Sequence, residues 1–325
     1  MKKNLILKSI VGRGYLGVVT SMALAHPAVA ALITYTADAN TVHLYHLDEA
    51  AGGTVASNSG TAGKTAIAAT GSSGTWPTNA TVLGAAAFSG YGNAADVSAT
   101  SKAIAYDGDG DGTFEPDSAS ADDDILHSSF LGGGGEFTVE AMIKVASISG
   151  ATHNILSTDG SGGNSARGFS FRVTTSGTLQ FRSIADYASG VFATIPTSGA
   201  NAWDANSWFH VAYAYDGGGT GTLYWTKVDP SVTVANSLGS QTTLTGTGTS
   251  IPDLNGSIQG VLVLGGENRG VNDDGTLGFI DEVRISNVAR GAGDFIFTIP
   301  EPTSVALAGF VAAWATISAG RHRRK

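Results

Sequence analysis

Phe137-Thr138-Val139-Glu140-Ala141-Met142-Ile143-Lys144-Val145 alternates strictly: Phe137, Val139, Ala141, Ile143 and Val145 take every second position, with Thr138, Glu140, Met142 and Lys144 between them. Successive side chains of a strand point to opposite faces, so the pattern predicts a β-strand with one face in a core and the other mostly polar. An amphipathic helix would instead space its apolar residues three and four apart. Outward from this strand, the same reading predicts strands at Val42 to Leu47, Ala85 to Phe88, Asn154 to Ser157, Phe169 to Val173 and Thr178 to Ile184. Further ones follow at Trp208 to Tyr215, Thr222 to Val228, Gly260 to Leu264 and Leu277 to Ile285. Clusters of Gly, Asn, Asp and Ser separate them, and no helical pattern intervenes.

The predicted fold is therefore all-β, a two-sheet antiparallel jelly-roll sandwich. The 325 residues are 42% apolar, enough to bury a sizeable core, and one large domain over residues 31–299 accounts for them. The 45 glycines and only 14% charged residues suit many strands joined by turns. Residues 58–84, rich in Ala, Gly, Ser and Thr, and residues 98–135, which carry an acidic cluster and end in four glycines, read as long loops inserted in that domain. There is no internal repeat.

The formal charge of −9 understates the acidity of the body. Eight of the 18 cations lie in the two ends (Lys2, Lys3, Lys8, Arg13, Arg321, Arg323, Arg324, Lys325), as does Glu301; the body keeps 10 cations against 26 anions, a net of −16. Such a surface repels phosphate backbones, which argues against nucleic acid as a partner and for cations, calcium above all. The absence of cysteine excludes disulfides, thiolate metal sites and a cysteine nucleophile.

The N-terminus has a basic stretch from Lys2 to Arg13, an apolar segment from Tyr15 to Ala25, and then Ala28-Val29-Ala30. Small residues at Ala28 and Ala30 predict a signal peptide over residues 1–30, cleaved after Ala30. At the other end, residues 300–325 hold Pro300-Glu301-Pro302, an apolar run from Val305 to Ala319, and the basic terminus Arg321-His322-Arg323-Arg324-Lys325. Fifteen helical residues reach only about 22 Å against roughly 30 Å of hydrocarbon, a marginal span whose cations would stay in the cytoplasm. These three parts in this order resemble the sorting tail of PEP-CTERM proteins of Gram-negative bacteria. The resemblance implies transient insertion in the inner membrane through the C-terminal helix and cutting near Pro300 to Pro302 by an exosortase-type processing enzyme. The body would then pass to the cell surface or the exopolysaccharide matrix. An ordinary single-span tail anchor is the alternative.

Several segments of the body, across most of residues 40 to 292, resemble the LamG-like jelly-roll family within the concanavalin A-like lectin and glucanase superfamily. They are Tyr45-His46-Leu47-Asp48-Glu49 with Gly52-Gly53-Thr54, Ala87-Phe88-Ser89-Gly90, Phe137 to Lys144 with Met142 where Trp is common, Trp208-Phe209-His210-Val211-Ala212 with Tyr215-Asp216-Gly217, and Leu264-Gly265-Gly266. The most specific is the closing strand, Gly278-Phe279-Ile280-Asp281-Glu282-Val283-Arg284-Ile285-Ser286-Asn287-Val288-Ala289-Arg290. In this family the Asp281-Glu282 pair reads as structural, supporting Arg284 and a neighbouring turn.

Candidate chemistry is concentrated in Asp107-Gly108-Asp109-Gly110-Asp111-Gly112, since carboxylates at alternate positions with glycines between can wrap a hard cation. Continuing an EF-hand template places Thr113 at the backbone-carbonyl position and Glu115 at the ninth, but Ser118 stands where a bidentate Glu is required, so an EF-hand proper is not expected. The expected calcium ligands are Asp107, Asp109, Asp111, Glu115 and Asp117, with Asp122, Asp123 and Asp124 close by; a solvated acidic insertion is the equal alternative. A second loop, Glu267 to Gly275, offers Asn272 and Asp273 to a cation or glycan, although Asn-Asp-Asp-Gly is also a good turn.

Catalysis is not expected. A glycosidase needs two carboxylates facing one cleft; Asp281 and Glu282 are adjacent, which on a regular strand sends them to opposite faces, and the Glu-x-Asp-x-x-Glu strand of laminarinase-type relatives is missing. Glu136 and Glu140 share a face, but Glu140 belongs to the ordinary family strand. The seven histidines show no metal spacing, and His210 reads as structural. Trp76, Tyr91, Tyr187, Trp203 and Trp225 lie in or near loops and strand ends, and Trp203 in Asn201-Ala202-Trp203-Asp204 is the first choice for an exposed ring that stacks on sugar. The expected function is a non-catalytic surface or matrix protein that binds glycan or envelope polymer, assisted by calcium. The alternatives are a purely structural or adhesive module, and a glycoside hydrolase or lyase on the same fold.

Overall fold

The structure is a computed structural model. It describes residues 31–32, 35–63, 66–68, 83–86, 91–98, 104–106, 135–145, 152–159, 167–183, 190–199, 202–205, 207–229, 234–235, 242–248, 262–266, 278–295 and 297–298. The strands are β1 (Ala31–Leu32), β2 (Thr41–Tyr45), β3 (Val55–Ala56), β4 (Ala66–Ala68), β5 (Leu83–Ala86), β6 (Asn93–Val97), β7 (Ile104–Tyr106), β8 (Phe137–Val145), β9 (His153–Asp159) and β10 (Arg167–Val173). They continue with β11 (Thr178–Ser183), β12 (Gly190–Thr194), β13 (Trp208–Tyr215), β14 (Thr220–Asp229), β15 (Val234–Ala235), β16 (Thr242–Thr247), β17 (Val263–Leu264), β18 (Gly278–Ser286) and β19 (Phe297–Thr298). A short 3₁₀ turn, Ala292–Asp294, precedes β19. Among the described residues, no helix is long and apolar enough to cross a membrane.

Two antiparallel sheets pack face to face. One runs β19-β1-β15-β14-β13-β8-β18-β6-β5, with β16 also on β14 and β2 also on β18; the other runs β12-β11-β10-β9-β17-β7-β4-β3. β8 is central to the first, paired with β13 through Val139↔Tyr213 and with β18 through Val139↔Ile285. The predicted alternation holds: Phe137, Val139, Ala141, Ile143 and Val145 enter the core between the sheets, while Met142 joins a second cluster on the opposite face with Tyr35, Leu44, Trp208, Ala212, Val228 and Phe295. The outward face is therefore also covered, because the segments around Tyr35 and Phe295 fold across it.

The long stretches at 58–84 and 98–135 are not only loops. They supply β4 and β7, which pair with each other through Ile67↔Ala105, and β7 pairs with β17. Ala66-Ile67-Ala68 and Ile104-Ala105-Tyr106 are too short to show a period, which is why they read as insertion. β1 and β19 pair through Ala31↔Thr298 and Leu32↔Phe297, so the backbone just after the expected leader adjoins that just before the expected tail.

Candidate functional site

Polar side chains gather in three places. The first lies on the outer face of β8, β13 and β18, where Glu140 has no exposed surface. Arg284 Nε donates to Glu140 Oε1 at 2.6 Å, His210 Nε2 lies 3.0 Å from Oε2, and the Tyr35 hydroxyl donates to Oε2. The Arg284 guanidinium also stacks on the Tyr35 ring, 3.8 Å from its centre. Burial pushes the Glu140 carboxyl up, but the Arg284 charge and the His210 bond outweigh it and hold it below the usual range. Beside it, Arg290 donates to both carboxylate oxygens of Asp38 at 2.7 and 2.9 Å, tying the N-terminal segment to the C-terminal one. This saturated cluster clamps the two termini and gives a substrate no access to Glu140.

The second gathers at a β-bulge. Asp281 pairs with Met142 and Arg284 with Glu140, so β18 carries one residue more than β8 across this interval. Glu282 adopts φ +46°, a conformation that costs a side-chain-bearing residue of order 1–3 kcal/mol. Ile280 and Val283 both reach the core, and the carboxylates between them are not divided between opposite faces, as regular alternation would require. Arg284 is supported by Glu140, which corrects the expectation that the Asp281-Glu282 pair supports it. Glu282 instead meets His46 Nδ1 at 3.0 Å, a contact that raises the imidazole above its ordinary value. Asp48 and Glu49 stand nearby; Asp48 Oδ1 accepts from Asn93 N–H, and an alanine Cβ at Gly92, where φ is +49°, would lie 2.1 Å from that same oxygen.

Asp281 is buried; its Oδ1 accepts from Glu282 N–H, and Oδ2 has no hydrogen-bond partner among the described residues. Burial first, then the Glu282 charge, pushes its carboxyl well above the usual carboxylate range. The folded chain therefore retains a proton that the unfolded chain releases near pH 4, and this group withdraws stability as pH rises through its folded value. Asp281→Asn keeps the Oδ1 acceptor and removes the titration. Its Tm at pH 8 should exceed that of the parent by about 2–4 °C, with the gain vanishing at pH 4; a Tm below the parent's at both pH values would refute this reading.

The third place is the face of β9–β12 turned away from the core. Phe169, Phe171 and Val173 of β10 and Leu179 and Phe181 of β11 point inward, so Ser170, Arg172, Gln180 and Arg182 point outward. Register sets them in two rows, Asn154–Arg172–Gln180–Phe192 and Ser157–Ser170–Arg182–Gly190. Ser170 Oγ donates to Asn154 Oδ1 at 2.9 Å and Arg172 Nε to Gln180 Oε1 at 2.8 Å. Asn154, Ser157, Ser170, Gln180 and Arg182 are buried, whereas Arg172 is partly exposed and Phe192 is 45% exposed. An added Cβ at Gly190 would come within 3.2 Å of both Phe192 Cζ and Arg182 Cβ, so the missing side chain is what lets the ring lie along the sheet. The alternation in Phe169 to Val173 and Thr178 to Ile184 already carried these outward polar residues, but no strand was expected at residues 190–194.

Of the expected site residues, Trp203 is corrected: it is 5% exposed and packs at 4.5 Å on Phe209, because the chain after β12 folds its ring into the core. Tyr91 and Trp225 are buried as well. Asp107, Asp109, Asp111, Glu115 and Asp117, Asn272 and Asp273, Trp76 and Tyr187, Ala28 and Ala30, and Pro300, Glu301 and Pro302 lie outside the described residues. Among the described residues, no group of three or more His, Asp or Glu side chains is arranged to hold a metal ion.

Face-to-face antiparallel sheets with strands that cross between distant parts of the sequence define the chain as a lectin-type jelly-roll sandwich. The family described as the concanavalin A-like lectin/glucanases superfamily (Laminin_G_3) matches residues 117–294, more than half of the 325 residues, and the chain belongs to it. Solved structures similar to it include a Trypanosoma rangeli sialidase in complex with sialic acid, at 13% identity and TM-score 0.43 over 79% of this chain and 32% of the sialidase. The botulinum neurotoxin serotype D binding domain is similar at 12% identity and TM-score 0.44, over 78% of this chain and 50% of that one. A Ruminococcus gnavus IT-sialidase CBM40 bound to α2,3-sialyllactose is similar at 18% identity and TM-score 0.36, over 50% and 80%. The chain thus spans a third of the sialidase and half of the toxin domain. No curated protein matches the sequence.

Proposed function

We propose that this is an exported, non-catalytic saccharide-binding protein of the cell surface or extracellular matrix, with the surface around Arg172 and Phe192 on β10–β12 as its binding face. The observation that carries the reading is the row Arg172–Gln180–Phe192, which sets a partly exposed guanidinium and an exposed aromatic ring on one sheet face. Saccharides present hydroxyls to polar side chains and C–H faces to an aromatic ring. The enclosure of Glu140 supports a non-catalytic role.

Export through the leader at residues 1–30, and delivery through Pro300-Glu301-Pro302 by an exosortase-type enzyme, remain part of the proposal on the residues that carry those resemblances. Calcium held by Asp107, Asp109, Asp111, Glu115 and Asp117 would assist binding. A glycan array probed with the purified protein, with calcium and with chelator, tests the function. Saccharide binding is expected, stronger with calcium; silence under both conditions would leave a structural or adhesive module.

A further inference from the structure

We propose that residues 57–62 form an acid-released strap on β2, with the His43 imidazole beneath it as the pH sensor. Among the described strands β2 pairs only with β18, and the strap, which follows β3, runs along β2 beside it. Ser59, Thr61 and Ala62 N–H donate to the carbonyls of Leu44, Thr41 and Val42 at 2.8, 2.9 and 3.0 Å. A Cβ added at Gly60 would come 2.2 Å from the Val42 carbonyl oxygen, so the two backbones lie in contact. Ser57, Ser59 and Thr61 are exposed, and the strap can leave β2 without opening the core between the sheets.

The hydrogen bonds fix the state of the sensor. Asn58 Oδ1 accepts from Leu44 N–H at 2.9 Å and from Gly60 N–H at 2.8 Å, which orients the amide and turns its Nδ2 toward His43 Nδ1 at 2.8 Å. Nδ1 therefore accepts, and the imidazole is neutral with its proton on Nε2. Protonation would set an Nδ1–H against the amide N–H. The Tyr45 hydroxyl, 3.2 Å from Nδ1, can rotate to accept that proton, but the amide cannot turn without giving up Leu44 and Gly60. His43 has no exposed surface. Around it stand the Tyr45 ring of its own strand, the Tyr106 ring of β7 at 5.2 Å, Ile285 of β18 and Asn58 of the strap, and none of these four offsets a positive charge.

Burial accordingly pushes the imidazole from 6.5 down to about 3. With the strap detached and the ring in water it titrates at its ordinary value, so the closed form binds fewer protons than the open one. The strap's hold is complete above pH 6.5 and is lost as pH falls toward 3.

Hydrogen exchange of the full protein at pH 7.5 and 4.5, corrected for the intrinsic pH dependence of exchange, tests this on the parent and on His43→Asn. The substitution keeps a side-chain acceptor for Asn58 and does not titrate. In the parent, the amides of Ser59, Thr61 and Ala62 should lose protection about tenfold or more at pH 4.5, within a linkage limit of about a hundredfold over two pH units, while those of Val139 to Val145 stay protected. In His43→Asn the strap should be equally protected at both pH values. Parent strap amides unchanged in acid, or released only together with β8, would overturn the proposal, and so would equal release in the two proteins. His43→Gln, also a non-titrating acceptor, serves as the control if His43→Asn does not fold.

Discussion

Glu140→Ala should cost about 3–5 kcal/mol of stability, a fall in Tm on the order of 10 °C for a domain of this size. The residue lies outside the core between the sheets, yet Arg284, His210 and Tyr35 all converge on its carboxylate. Removing it leaves the Arg284 guanidinium buried with its charge uncompensated, and takes a partner from two further side chains at once. Because Glu140 is held below its unfolded pKa, its contribution is present at neutral pH and is lost as pH falls through the folded value, so parent and variant should converge in acid. Adding Arg284→Met to Glu140→Ala should recover part of the loss, since the stranded charge goes with it. Urea denaturation of the three chains measures this; a Glu140→Ala loss below about 1 kcal/mol would mean that the clamp between the termini carries little.

Phe181→Ala should cost a similar 3–5 kcal/mol by a different route. Phe181 belongs to β11, and its ring lies 3.8 Å from that of Tyr213 and 5.6 Å from that of Phe137 in the opposite sheet. It also packs at 5.3 Å on Phe169 and at 6.3 Å on Phe171 of its own sheet. Truncation opens a cavity among four aromatic rings that well-packed neighbours cannot close. Phe181→Leu retains much of the volume and should lose markedly less. Equal losses for the two substitutions, read from denaturation midpoints at unchanged m-value, would show that the site collapses and that inter-sheet aromatic packing is not what holds the sheets together.

The long strands were legible because each buries one face: Phe137 to Val145 and Trp208 to Tyr215 carry a period of two that no helix shares. The β18 bulge was not legible, because the left-handed turn at Glu282 uses a residue type that gives no sign of it, and so regular alternation misplaced the Asp281-Glu282 pair. Trp203 misled for a related reason. Its polar neighbours Asn201 and Asp204 suggest an exposed loop, whereas the contact with Phe209 that buries it depends on the path of the chain in three dimensions. The candidate face was half visible. Ser170, Arg172, Gln180 and Arg182 occupy the polar phase of two predicted strands, but pairing Gln180 with Phe192 and Arg182 with Gly190 required the register of β12, a five-residue edge strand of the sheet.

Saccharide binding at this face rests most directly on Phe192, whose aromatic ring is 45% exposed. Affinity for the best saccharide of the array, measured side by side on the parent protein and Phe192→Ala, is the decisive comparison. Loss of a stacked ring worth about 0.5–1.5 kcal/mol predicts roughly two- to tenfold weaker binding at unchanged Tm. Equal affinity in the two proteins would place the saccharide elsewhere on the molecule.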